Sequence, residues 1–160
     1  MKAVADYLRQ TLADVLPALM AISEQEASIK PLPDKWSKKE IIGHLIDSAT
    51  NNQHKFVRTM AQKEITFVGY AQDFWVAAQH YNSRNWVELV TFWQAYNLHI
   101  AHIIEYVKPE DLSNTITIEK SGPFTLGFIM EDYVEHLKHH LKAILPDTDI
   151  RSKFQNIYNA

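Results

Sequence analysis

The chain has no cysteine. No disulfide can brace it, and any metal it binds must be held by nitrogen and oxygen ligands. A cysteine-free chain fits the cytoplasm, the compartment expected here. Glycine and proline are also scarce, four and six in 160 residues, too few for a disordered or linker-rich chain. No run of Lys and Arg occurs and the formal net charge is −3. The basic face of a nucleic-acid binder is therefore missing, and no nucleic-acid partner is expected. No apolar stretch approaches the roughly 20 residues of a membrane span. The opening Met1 to Asp6 is amphipathic and lacks both the apolar core and the cleavage site of a secretory leader. Neither membrane insertion nor export is expected.

What remains is ordinary globular material, 46% hydrophobic, at a length that buries a core without staples. Four long segments carry helical periodicity. The first runs from about Val4 to Ile22, with Tyr7, Leu8, Leu12, Val15, Leu16 and Leu19 on one stripe and an expected kink at Pro17. The second opens on Ser37-Lys38-Lys39-Glu40, the capping-box pattern, with Trp36 placed to staple onto Ile41. It continues to about Gln62, with Ile42, Leu45, Ile46, Ala49, Phe56, Val57 and Met60 inward. The third runs from Asn85 to Val107 and is rich in aromatic residues; the fourth runs from Thr125 to Leu145 and stops at Pro146. A short helix is expected around Asp73 to His80. Thr115 to Glu119 followed by Ser121-Gly122-Pro123 suggests a small hairpin before the last helix. Four such helices predict an all-α four-helix bundle over residues 1–146. In the tail, residues 147–160, Ile150, Phe154, Ile157 and Tyr158 recur at helical spacing. The tail is expected to dock on the body or at a dimer interface.

Histidine is over-represented, eight residues in all. On the last helix Met130, Tyr133, Val134, Leu137, Leu141, Ile144 and Leu145 define the apolar face. His136 and His140 lie on its flank, about 40° and roughly 6 Å apart. His139 points away from the core. Two imidazoles at i, i+4 can hold one metal ion, as in the zinc helix HExxH. Here the sequence is His136-Leu137-Lys138-His139-His140, so that motif's glutamate base is absent. By pattern alone the pair reads more readily as two amphipathic histidines at a bundle edge. His44 falls on the polar side of its helix with Glu40, Asp47 and Asn51. It reads there as solvated, unless that side faces a cleft. His99 and His102 form a rival i, i+3 pair in a very apolar helix, where partial burial is expected.

Two stretches resemble the DinB/YfiT-like superfamily. Trp36-Ser37-Lys38-Lys39-Glu40-Ile41-Ile42-Gly43-His44-Leu45-Ile46-Asp47 is similar to the W-S-x-x-E-x-x-x-H-L-x-D opening of that family's second helix. Tyr133-Val134-Glu135-His136-Leu137-Lys138-His139-His140 is similar to its closing helix. The resemblance implies an antiparallel four-helix bundle holding a divalent metal, zinc or nickel, with iron or manganese also suited. The ligands it implies are His44, His136 and His140. Asp47, one turn from His44, becomes a candidate for orienting an imidazole. Three neutral histidines would leave an open position for water or substrate.

Characterised relatives imply a thiol transferase or a hydrolase, with metal-activated low-molecular-weight thiol or water as nucleophile. With no cysteine, the nucleophile must come from outside the chain. His99, His102 and Asp47 are candidate bases, and no single one stands out. A homodimer acting on a small-molecule substrate is expected. The rival reading is a non-catalytic bundle that binds a metal or small molecule.

Overall fold

The structure, a computed structural model, describes residues 1–158. In chain order the helices are α1 (Lys2–Ala21), α2 (Glu24–Ser28), α3 (Lys38–Met60), α4 (Gln72–Ala78), α5 (Trp86–Tyr106) and α6 (Leu126–Ile144). Three short strands, β1 (Glu64–Phe67), β2 (Thr115–Ile118) and β3 (Ser121–Thr125), complete the regular structure, with single 3₁₀ turns at Tyr81–Ser83 and Pro109–Ser113.

Local chemistry sets the helix starts. Ser37 Oγ accepts from the Glu40 amide at 3.2 Å, and the Glu40 carboxylate accepts from the Ser37 amide at 2.7 Å. The expected capping box therefore opens α3. Asn85 and Thr125 cap α5 and α6 in the same way, accepting from the Glu88 and Phe128 amides. α1 continues through Pro17 as one helix.

The four long helices form the bundle. α5 packs on α1 and α3, while α6 packs on α3 and α1. α3 and α6 are thus neighbours although α5 separates them in sequence. The core between the helices is filled by Leu8, Leu12, Leu19, Ile42, Leu45, Phe56, Trp86, Trp93, Ile100, Ile104, Leu137 and Leu141, each at most 1% exposed. The apolar face expected on the last helix is buried in full.

Periodicity misplaces a few side chains. Tyr7, 45% exposed, leaves the α1 stripe, where its hydroxyl meets the Lys138 ammonium. Val57 is 47% exposed rather than inward. The expected all-α bundle with a small hairpin gains a third strand, which makes a three-stranded sheet. The hairpin of β2 and β3 is present, and β1 adds a parallel strand to β2, with Ile65 opposite Ile116. Four residues are too few for alternation to announce β1, and its partner lies some fifty residues away. This sheet packs against α3 and α6.

The tail, after a turn at its start, has no regular structure through residue 158 and forms no helix, contrary to its spacing; residues 159 and 160 lie outside the described residues. Side-chain handles hold it on α6. Ser152 Oγ donates to the Glu135 carbonyl at 2.7 Å, the Lys153 amide to the Glu135 carboxylate at 2.6 Å, and the Tyr158 hydroxyl to Asp132 at 2.5 Å. These polar tethers fix the tail along one face of α6.

Candidate metal centre

The adjacency of α3 and α6 brings His44 to His136 and His140. One ring nitrogen from each lies within 4.8 Å of the others. The ring centroids stand 5.3 Å from His44 to His136, 4.6 Å from His44 to His140 and 4.6 Å from His136 to His140. His136 and His140 turn their Nε2 atoms toward each other at 3.1 Å. Two imidazole nitrogens on one tetrahedral ion with bonds of 2.0–2.1 Å would stand about 3.3 Å apart.

Whether these residues suit a metal turns on His44. It is 0% exposed, and neither ring nitrogen has a hydrogen-bond partner among the described residues. An orphaned buried polar group costs about 1–3 kcal/mol. A metal bond would occupy one of these nitrogens, so the donor set fits a borderline divalent cation that accepts imidazole.

The electrostatics agree. Burial pushes the His44 imidazole down to about 4, opposed by the nearby Asp73 carboxylate. Burial, with repulsion from His44 and His139, pushes His140 down to about 3. Burial and the neighbouring histidines push His136 lower still. All three rings are therefore neutral at pH 7, the form that ligates.

The burial of His44 overturns its solvated reading. Helical phase does place it opposite the bundle axis. However, α2, α4 and the turn at Tyr81–Ser83 pack over the first half of α3. Lys39, Glu40, His44, Asp47 and Ser48 are buried there with the apolar residues. Gly43 permits the closest approach, since a Cβ on it would lie 2.1 Å from the Tyr81 ring. Tyr81 and Gln79 then donate to Asp47 Oδ1, both at 2.7 Å. Asp47 is thus engaged by these two residues and makes no hydrogen bond to an imidazole among the described residues; its Oδ2 is buried without a partner. The polar atom beside a ligand ring is Ser48 Oγ, 3.5 Å from His136 Nδ1.

The rival pair does not reach this site. His99 and His102 are exposed on the outer side of α5, whose inward positions are Trp93, Asn97, Ile100 and Ile104. Neither lines the cavity beside the three histidines. His139 is exposed as expected and does line that cavity.

The cavity, about 430 Å³, opens onto His136 and His140. α3 contributes Ser48, Asn52 and Lys55, and α6 contributes Asp132 one turn before His136. Tyr70, after β1, forms another wall. The tail closes a further side: the Phe154 ring sits 5.0 Å from His136 and 5.5 Å from His139. Of these, Ser48, Asn52 and Lys55 had a signal in sequence, a polar stripe at i, i+4 and i+7. Tyr70 and the tail had none. On the other side of His140 lies a shallower hollow that Trp36 and Asp73 share.

Comparison with known proteins places this arrangement. The chain is 24% identical over 109 residues to a Bacillus mycoides protein named "putative metal-dependent hydrolase", covering 68% of this chain and 62% of that protein. An Oceanobacillus iheyensis protein of the same name is 24% identical over 109 residues, covering 68% and 63%. The matched stretch thus spans less than two thirds of either relative. The fold superposes on that of YfiT from Bacillus subtilis with a TM-score of 0.81 at 14% identity, covering 90% of this chain and 83% of the other. YfiT is described as "a probable metal-dependent hydrolase with an unusual four-helix bundle topology". The DinB superfamily model matches residues 7–144, and the chain belongs to that superfamily.

Proposed function

We propose that the protein is a divalent-metal-dependent hydrolase whose metal is held by His44, His136 and His140. The observation that carries this is the three-imidazole cluster with a fully buried His44 whose ring nitrogens have no hydrogen-bond partner among the described residues. The names of the two bacterial relatives support it. A divalent ion on three neutral nitrogens keeps an open position, lowers the pKa of bound water and polarises a carbonyl or phosphoryl oxygen.

The rest is work for the chain. Burial holds the three rings neutral, and rigid packing of α3 on α6 fixes their spacing. The Ser48 hydroxyl beside His136 Nδ1 limits the rotation of that ring. Leu137 stands where the zinc helix motif has its glutamate, and it is fully buried in the core. Proton transfer therefore falls to groups that line the cavity, and Asp132 and His139 are those on α6. Burial raises the Asp132 carboxyl above its ordinary value, and the Tyr158 hydroxyl opposes the shift. The Phe154 ring shields the site from bulk water on the tail side.

The same open position would accept the sulfur of an external thiol. The test therefore offers both nucleophiles. Metal-loaded protein is screened against ester, amide and phosphoester substrates, with and without a small thiol. Hydrolysis that is lost on chelation and restored by metal supports the reading. Turnover only with added thiol replaces water by thiol as the nucleophile. Metal binding without either activity contradicts the enzyme.

A further inference from the structure

Four lysines of this chain are at least partly buried, and Lys38 among them meets Glu26 at 2.7 Å. Lys39 meets the Glu24 carboxylate, and Lys138 meets Glu135 at 3.1 Å. The Lys55 ammonium makes no ion pair or hydrogen bond among the described residues, although Lys55 lines the cavity beside the histidines. The nearest balancing charge is Asp132, which faces it from α6. That carboxylate accepts the Tyr158 hydroxyl at 2.5 Å and lies beyond ion-pair distance of Lys55. Glu119, the other carboxylate on the cavity wall, accepts the Gly69 amide at 2.6 Å. Burial pulls the Lys55 ammonium down to about 8, the mark of a cation with too little compensation.

Position gives the cation a meaning. Ser48, Asn52 and Lys55 share one stripe of α3, and Ser48 stands beside His136. Seven residues of helix set Lys55 about 10 Å along the axis from that end, and helical side chains lean toward the N-terminus, which shortens the gap. The Asn52 amide is already spent on the Ser48 carbonyl at 2.9 Å. The Tyr70 hydroxyl lines the same cavity and has no hydrogen-bond partner among the described residues. The pocket thus carries His136 and His140 and, farther along α3, a cation whose ammonium has no partner among the described residues.

We propose that Lys55 is the anchor of an anion subsite, so that the substrate carries a carboxylate or phosphate up to two helical turns from the group that reaches the three histidines. The proposal rests on the reading of those histidines as the metal site. With a divalent ion on three neutral rings, the ion and Lys55 together outweigh Asp132 and Glu119. A substrate negative at one end is therefore attracted as well as oriented.

Monohydroxamates of linear dicarboxylic acids provide a ruler, since the hydroxamate seeks the metal and the carboxylate seeks Lys55. Their affinities for zinc-loaded protein are compared with those of the corresponding methyl esters across a series of chain lengths. The expected result is a preference for the free acid of about tenfold or more at one optimal length. In Lys55→Met that preference disappears while the ester binds as before, and Lys55→Arg restores part of it. Metal content and circular dichroism of each variant verify that it is folded and loaded. If acid and ester bind wild type equally at every length, the anion subsite is overturned while the metal reading stands. If neither binds, and His136→Ala makes no difference, the metal reading fails first.

Discussion

Replacing His44 by leucine should stabilise the metal-free protein. The imidazole occupies a fully buried position, and its two ring nitrogens have no hydrogen-bond partner among the described residues. Leucine fills similar volume with no polar atom. Relief of one orphaned group is worth about 1–3 kcal/mol, less a packing mismatch usually below about 1.5 kcal/mol. The net gain is on the order of 1 kcal/mol, or about 2–4 °C in Tm for a chain of this size. Zinc should reverse the order. At a hundredfold excess over Kd it would add about 2.7 kcal/mol to wild type, and far less to His44→Leu with only two ligands left. Differential scanning calorimetry with chelator and with zinc reads both effects. A metal-free His44→Leu protein that melts several degrees below wild type, with an equal zinc shift in both, would refute the reasoning. His44 would then be an ordinary packing residue.

Further predictions follow from the same structure. Metal-free wild type should lose stability as pH falls below about 6.5, the unfolded histidine pKa. The folded pKa values of His44 and His140 lie lower, at about 4 and 3, so the unfolded chain takes up protons first. Stability is complete at neutral pH and declines through that window, which thermal melts at stepped pH would trace; a flat profile contradicts buried neutral rings. Gly43→Ala should cost about 1–3 kcal/mol, because its Cβ would fall 2.1 Å from the Tyr81 ring and displace the hydroxyl that serves Asp47. Urea unfolding gives the value, and an unchanged midpoint counts against the close approach. Ser37→Ala should cost about 0.5–2 kcal/mol through the lost cap of α3, measured the same way.

Much of the bundle was legible because its signals are local. Ser37 and Glu40 marked the start of α3, Thr125 capped α6 and the 3.6-residue stripe from Met130 to Leu145 faced the core as expected. His44 was not legible by phase. Its burial comes from Trp36 before the helix and from His136 and His140 on α6, with connecting segments packed over α3, and none of these contacts is local enough for periodicity to report. The resemblance to family motifs grouped it with His136 and His140, and the three rings do lie together. Sequence placed the rival His99 and His102 in an apolar helix, but α5 presents both to solvent on its outer side. β1 and the tail depend on contacts made across the whole fold, so short-range pattern misses them. Lys55 belongs to a polar stripe that resembles any solvated helix edge until the sheet, α6 and the tail enclose it.

The most direct test is the metal itself. Protein purified without a histidine tag is analysed for bound elements beside a His136→Ala, His140→Ala double variant. The account predicts near-stoichiometric divalent metal in wild type and its loss in the variant. No metal in wild type after incubation with zinc, nickel and manganese, or equal metal in both proteins, would contradict it.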